Sequence, residues 1–117
     1  MASRSERRAA HDSGQASVEL VALLPALAAC LLIAGQAVAT GWALWSAGNA
    51  ARAGARAEEV GSDGEAAARR ALPGSLRDGA RVRAGDGVRV EVRIPALVPG
   101  VAMPDVSAAS RLDAESR

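Results

Sequence analysis

From Leu20 to Trp45 the chain carries no charged residue, and Gln36, Thr40 and Gly41 are the main interruptions of the apolar run. About 20 apolar residues rising 1.5 Å each span the hydrocarbon core of a bilayer, so this run is long enough for a membrane helix. It exceeds the 7–15 apolar residues, approximately, that a secretory signal needs. Trp42 and Trp45 stand at its far end, where interfacial anchors stand. Pro25 falls early in the run, where lipid or neighbouring helices accommodate a kink. The helical pattern continues past the apolar run. Ala47, Ala51 and Ala55 recur every four residues, Arg52 and Arg56 form another stripe, and Gly61 supplies a stop. The pattern predicts one helix over 15–60, roughly 69 Å long, with a membrane part over 20–45 and a stalk over 46–60.

Beyond Gly61 the pattern changes twice. "SDGE", 62–65, reads as a capping box with Ser62 as the cap and Glu65 three residues on, opening a short helix over 62–72 that Pro73 and Gly74 end. Then the period drops to two. Val88, Val90, Val92 and Ile94 share one face, while Arg89, Glu91 and Arg93 share the other. "ARVRA" before them alternates as well, and "GDG" at 85–87 marks a hairpin turn between the two. "DVSAASRL", after the Pro-interrupted loop "PALVPGVAMP", gives a third and weaker strand. A small antiparallel three-stranded sheet domain is therefore expected over 79–113. A sheet of this size is marginal in water by itself, so its valine face needs a cover. The alanine-rich stalk around 47–60 is the nearest one. The expected fold class is α+β: a long N-terminal membrane-spanning helix, a short second helix, and a small sheet packed on the long helix.

Composition narrows the chemistry. The 117 residues include no Phe, no Tyr and only two Trp, which favours thin, closely packed elements over a thick core. The net charge is +1 with both signs scattered, so there is no nucleic-acid footprint. One cysteine, Cys30, excludes an internal disulfide, and the one histidine, His11, lies in the polar N-terminal stretch with no partner at metal-ligand spacing. No catalytic set is available from these residues, and no glycine-rich phosphate loop follows a strand. Asp86 in a turn and Asp63 beside a cap have structural explanations. The expectation is a non-enzyme without cofactor or metal.

The segment "SGQASVELVALLPALAAC", 13–30, admits three readings. "LAAC", 27–30, has the small residues and cysteine of a lipobox, but the apolar "LLIAGQAVATGWALW" follows it where a polar tether is needed. "AVA", 37–39, satisfies the small-x-small requirement of leader peptidase, a match that is nearly guaranteed in so alanine-rich a chain. The third reading uses Gly14, Gln15 and Glu19. A charged side chain costs about 2.5–3.5 kcal/mol at the centre of a membrane helix and less near its end, so such residues are functional candidates. Cleavage after Gly14 would give Gln15 a free ammonium one helical turn from Glu19. In a bundle of such helices, one subunit's carboxylate neutralises the next subunit's amine and fixes the axial stagger. The bland alternative is a Glu19 that snorkels at the interface without a partner. Gly35 with Ala39, and Ala37 with Gly41, form small-xxx-small pairs that suit helix association in lipid. They also suit mere helix filler. Three arginines before the run (Arg4, Arg7, Arg8) against two just after it favour a cytoplasmic N-terminus.

"GQASVELVALLP", followed some two dozen residues on by "NAARAGARA", resembles the TadE-like family, minor pilins of Tad-type (Flp) type IV pili. The resemblance covers about residues 14–57, and "ALPGSLRDGARVRAG…VRVEVRIPALVPG" looks, more loosely, like the downstream region of actinobacterial members. It implies a prepilin-type leader, 1–14, cut by a prepilin peptidase between Gly14 and Gln15, with the family's acidic residue falling on Glu19. It also implies a pseudopilin whose helix lies in the bacterial cytoplasmic membrane and whose C-terminal domain lies outside. Its partners would be other pilin-like subunits, the Tad assembly machinery and the lipid bilayer. Two departures stand out: Gln15 is neither the aromatic nor the methionine with which major type IV pilins usually begin, and the aromatics are delayed to Trp42 and Trp45. The competing expectation from another class is an extracytoplasmic binding module, anchored by its helix or by lipid at Cys30.

Overall fold

The computed structural model describes the backbone of residues 4–110 and the side chains of residues 14–110. The elements in chain order are α1 (Arg4–Glu59), α2 (Gly64–Ala71), α3 (Gly74–Arg77), β1 (Arg81–Gly85), β2 (Gly87–Arg93) and β3 (Asp105–Ser110). The chain divides between Gly35 and Gln36 into two compact units. The first is helical along its described length; the second holds the remainder of α1 and every other element.

α1 ends one residue before the expected boundary but begins eleven residues earlier, inside the stretch expected to be only a polar leader. "RSERRAA" explains the difference: Arg, Glu and Ala are among the strongest helix formers, and polarity does not oppose a helix in water. Pro25 therefore lies about six turns inside α1 rather than in its first turns. Its missing N–H removes the usual helical bond to the Val21 carbonyl. The expected side-chain surroundings of His11 and of Arg4, Arg7 and Arg8 lie outside the described residues, as do residues 111–113 of the expected sheet domain.

The end of α1 is a Schellman motif. Gly61 takes φ +74°, its N–H donates to Glu58 O at 3.0 Å, and the Ser62 N–H donates to Ala57 O at 2.8 Å. Glycine is the residue that reaches this left-handed conformation without a Cβ penalty. This geometry corrects the expected capping box. With the Ser62 backbone committed to closing α1, the cap of α2 moves to Asp63, whose carboxylate accepts from Ala66 N at 3.0 Å. Glu65 reaches forward to Arg69 at 3.2 Å instead of back to the cap. Pro73, expected only as a stop, also stands at the N-cap of the short α3, where its carbonyl accepts from the Leu76 and Arg77 N–H groups.

The sheet has order β1-β2-β3, antiparallel throughout. Gly85 pairs with Gly87 across the hairpin, with Asp86 at the tip, as the "GDG" reading expected. Val82, Val90 and Ala108 form one row across the three strands, and Val92 faces Val106. Val88, Val90 and Val92 are fully buried and Ile94 nearly so, which places the alternating face inward as read from the sequence. Each fully buried valine contributes about 1.5–3 kcal/mol.

The cover on that face is α1, helped by α2 and α3. Ala43, Ala47, Ala50 and Ala51 join Ala68, Leu72, Leu76 and the valines in one core cluster. Ala55 is also buried, while Arg52 and Arg56 stay exposed. The closest approach is at Gly54, where an added Cβ would lie 2.8 Å from both Gly64 O and Val88 Cγ1. The second unit begins at Gln36 and its core at Ala43, inside the run expected as the membrane part. Small side chains at 43 and 47 let the sheet side pack closely, a long-range demand that outranks hydropathy.

Candidate functional site

The first unit is a bare stretch of helix. From Val18 to Ile33 its large apolar side chains are 47–70% exposed, so no part of the described chain covers them. α1 is long and apolar enough to cross a membrane by length and composition, and none of its most apolar 18-residue stretch is buried. A core helix of a soluble protein would pass the same length test but would be mostly buried. A signal sequence near the N-terminus would also pass it. Here, however, the helix continues without a break into the core of the second unit.

Gly14, Gln15 and Glu19 all lie within α1. Nothing stands within 4 Å of where a Cβ would be on Gly14, so its lack of a side chain meets no packing need in the fold. The Gln15 side-chain amide donates to Glu19 Oε1 at 3.5 Å, one turn away. That distance is at the limit for a hydrogen bond, and the pair is exposed. The helix thus sets residue 15 and the carboxylate on one face.

Cys30 is a free, exposed thiol in mid-helix. Of the small-residue pairs, Gly35 and Ala39 are half-buried whereas Ala37 and Gly41 are exposed, with open space around Gly41. The two pairs therefore do not share one environment. Trp42 and Trp45 are 38% and 65% exposed, outside the aliphatic core.

Sequence reasoning missed the role of Gln36, which reads only as an interruption of the apolar run. Its side chain makes two reciprocal bonds to the loop after β2: Nε2 donates to Pro95 O at 3.1 Å, and Oε1 accepts from Leu97 N at 3.1 Å. A polar amide alone in a 26-residue stretch without charge was the available signal; its partners, 59 and 61 residues away, were not legible. Thr40 satisfies its hydroxyl locally by donating to Gln36 O at 2.8 Å. Ser46 Oγ is buried without a partner among the described residues.

The second unit also has an open concavity of about 850 Å³ beneath the loop, lined by Ser75, Asp78, Met103 and the cross-strand ion pair of Arg93 with Asp105 at 3.6 Å. Among the described residues no cluster of His, Cys, Asp or Glu could hold a metal ion. Compared with protein-family models, with curated proteins and with solved structures, the chain matches none.

Proposed function

We propose that this chain is a TadE-like minor pilin, a pseudopilin that takes part in assembling a Tad-type type IV pilus after a prepilin peptidase cuts between Gly14 and Gln15. The observation that carries the reading is the start of the bare helix, where Gln15 and Glu19 lie one turn apart at the mouth of an uncharged run. A single span fits that helix; the three arginines before the apolar run against two after it would set the N-terminus in the cytoplasm and the sheet unit outside. Once Gln15 carries an ammonium, the Glu19 carboxylate of an adjacent subunit neutralises it, and the desolvation cost of each charge in lipid falls. Pairing of this kind selects one axial offset between neighbouring helices. Within the second unit, Gln36 and the alanine seam from Ala43 join the remainder of α1 to the loop and the sheet.

The test is Glu19→Ala in the native host, with pilus assembly as the readout and membrane abundance of the subunit as the control. The reading expects normal abundance and failed assembly. Intact pili with Glu19→Ala would remove the role given to the carboxylate. A second reading, an anchored extracytoplasmic binding module, draws on the concavity beside Arg93 and Asp105. It expects Glu19→Ala to be silent.

A further inference from the structure

Among the described residues β2 is the inner strand of the sheet, and β1 and β3 each leave one edge without a strand partner. An unpaired edge presents a row of backbone N–H and C=O groups, a template for another strand. The β1 edge is blocked: the strand is five residues long, carries the exposed Arg81 and Arg83, and has α2 packed against it. The β3 edge carries no such device. "DVSAAS" has no Pro, Lys, Arg or Gly, and its register with β2 runs unbroken from Asp105 to Ser110. Its one charge is Asp105, at the start.

The inner face of β3 is incompletely covered as well. Val88, Val90 and Val92 on β2 are fully buried, whereas Val106 and Ala108 stay half-buried although they pack against the same core. α2 packs on β1 and β2, and α3 on β2, so the helical cover thins towards β3. A further strand beside β3 would extend the Val92–Val106 and Val90–Ala108 rows and take water off both side chains. Edge and face thus call for the same occupant, a strand with small apolar side chains on its inner side.

β3 itself has that pattern. We propose that two copies of this chain pair through β3, antiparallel about a two-fold axis at Ser107, and so join their sheets into one. Directly opposed residues share a face, so Val106 meets Ala108 of the second copy and Ser107 meets its own counterpart. Each Asp105 comes opposite a neutral Ala109. The two Asp105 positions are about 14 Å apart, farther than the screening length of about 8 Å. No like charges oppose each other in this register. Pairing β3 with β1 of another copy would instead meet the arginine-lined edge and leave new edges open, an arrangement that does not close. A strand pair of this length buries far less than the roughly 1,200–2,000 Å² of a standard interface, so the association is weak and concentration-dependent. It involves the sheet unit alone and is independent of processing at Gly14.

The experiment uses the full chain carrying Cys30→Ala, in mild detergent, with one cysteine at a time from Ser107→Cys, Ala109→Cys or Arg83→Cys, all at exposed positions. Opposed residues of an antiparallel pair have Cα atoms about 4.5–5.5 Å apart, inside the range of about 4.4–6.8 Å that a disulfide spans. Under mild oxidation Ser107→Cys should form a disulfide-linked dimer several-fold faster than the other two. Residue 109 is out of register with its own counterpart, and residue 83 lies on the blocked edge. Equal rates at all three positions mean random collision and overturn the proposal. Faster linkage at Ala109→Cys or Arg83→Cys overturns it too, since another register or another edge is then in contact. A Ser107→Cys thiol that resists maleimide in the unlinked chain overturns it in favour of a cover supplied by the same chain. Ser107→Lys gives an independent reading, because it sets like charges opposite each other at the axis. In the reduced state, sedimentation should show a several-fold smaller dimer fraction for Ser107→Lys than for the unsubstituted chain, at an unchanged melting temperature. Equal dimer fractions overturn the two-fold pairing.

Discussion

Gly54→Ala and Gly48→Ala make a matched pair, because both glycines lie inside α1 and only one of them is pressed against another element. In each case alanine improves helix propensity by about 0.8–1.0 kcal/mol. At Gly48 a Cβ would meet only the Arg52 guanidinium, at 3.7 Å and 3.9 Å, ordinary contact with the end of a flexible side chain. The full gain should therefore appear. At Gly54 the Cβ would lie 2.8 Å from Gly64 O, 2.8 Å from Val88 Cγ1 and 3.1 Å from Ala68 Cβ. One of these is backbone at the start of α2, and it cannot move without shifting the helix. Overpacking of this kind costs about 1–3 kcal/mol. Subtracting the propensity gain leaves Gly54→Ala between neutral and about 2 kcal/mol destabilised, and the two variants about 1–3 kcal/mol apart. Hydrogen exchange of the β2 amides, in the full chain held in mild detergent, reads the opening of the domain without interference from the detergent-bound span. At a tenfold change per 1.4 kcal/mol, protection in the two variants should differ by about 5- to 150-fold. Protection factors agreeing within about twofold would mean that α1 does not press on α2 and the sheet at Gly54.

Other residues give sharp expectations. Asp63→Ala removes the side-chain acceptor for Ala66 N and should destabilise α2 by about 0.5–2 kcal/mol, whereas Ser62→Ala should be close to neutral because Ser62 acts through its backbone; circular dichroism on thermal unfolding ranks the two. Gln36→Ala breaks both bonds to the loop, and at about 1 kcal/mol in total for an exposed site the Leu97 amide should exchange about fivefold faster while the β2 amides keep their protection. Equal loss of protection in both regions would instead make Gln36 a residue of the core.

Much of the domain was legible because its signals are local. Val88 to Ile94 alternate, "GDG" punctuates the hairpin, and Gly61 closes α1 where the helical period ends. The alanine seam at 47, 51 and 55 also read correctly as the cover of the valine face. What was not legible depended on competition or on distance. Ser62 looked like a cap until the Schellman closure of α1 claimed its backbone. The extension of the core to Ala43 and the clamp by Gln36 both lie inside a run whose hydropathy announces membrane, and only tertiary contacts reveal the second role. The candidate site shows the same division. Spacing set Gln15 and Glu19 one turn apart, and the helix places them so. The unequal surroundings of Ala37, Ala39 and Gly41 follow from which side of α1 the domain occupies, and no pattern in the chain encodes that side.

The central claim is that the chain matures at Gly14–Gln15 into a subunit whose helix begins at the Gln15 amine and the Glu19 carboxylate. Mass spectrometry of the N-terminus, on protein recovered from membranes of the native host, tests it most directly. The account predicts a chain that starts at Gln15. A chain starting at an acylated Cys30, or one that retains residues 1–14 in a host with an active prepilin peptidase, would contradict it.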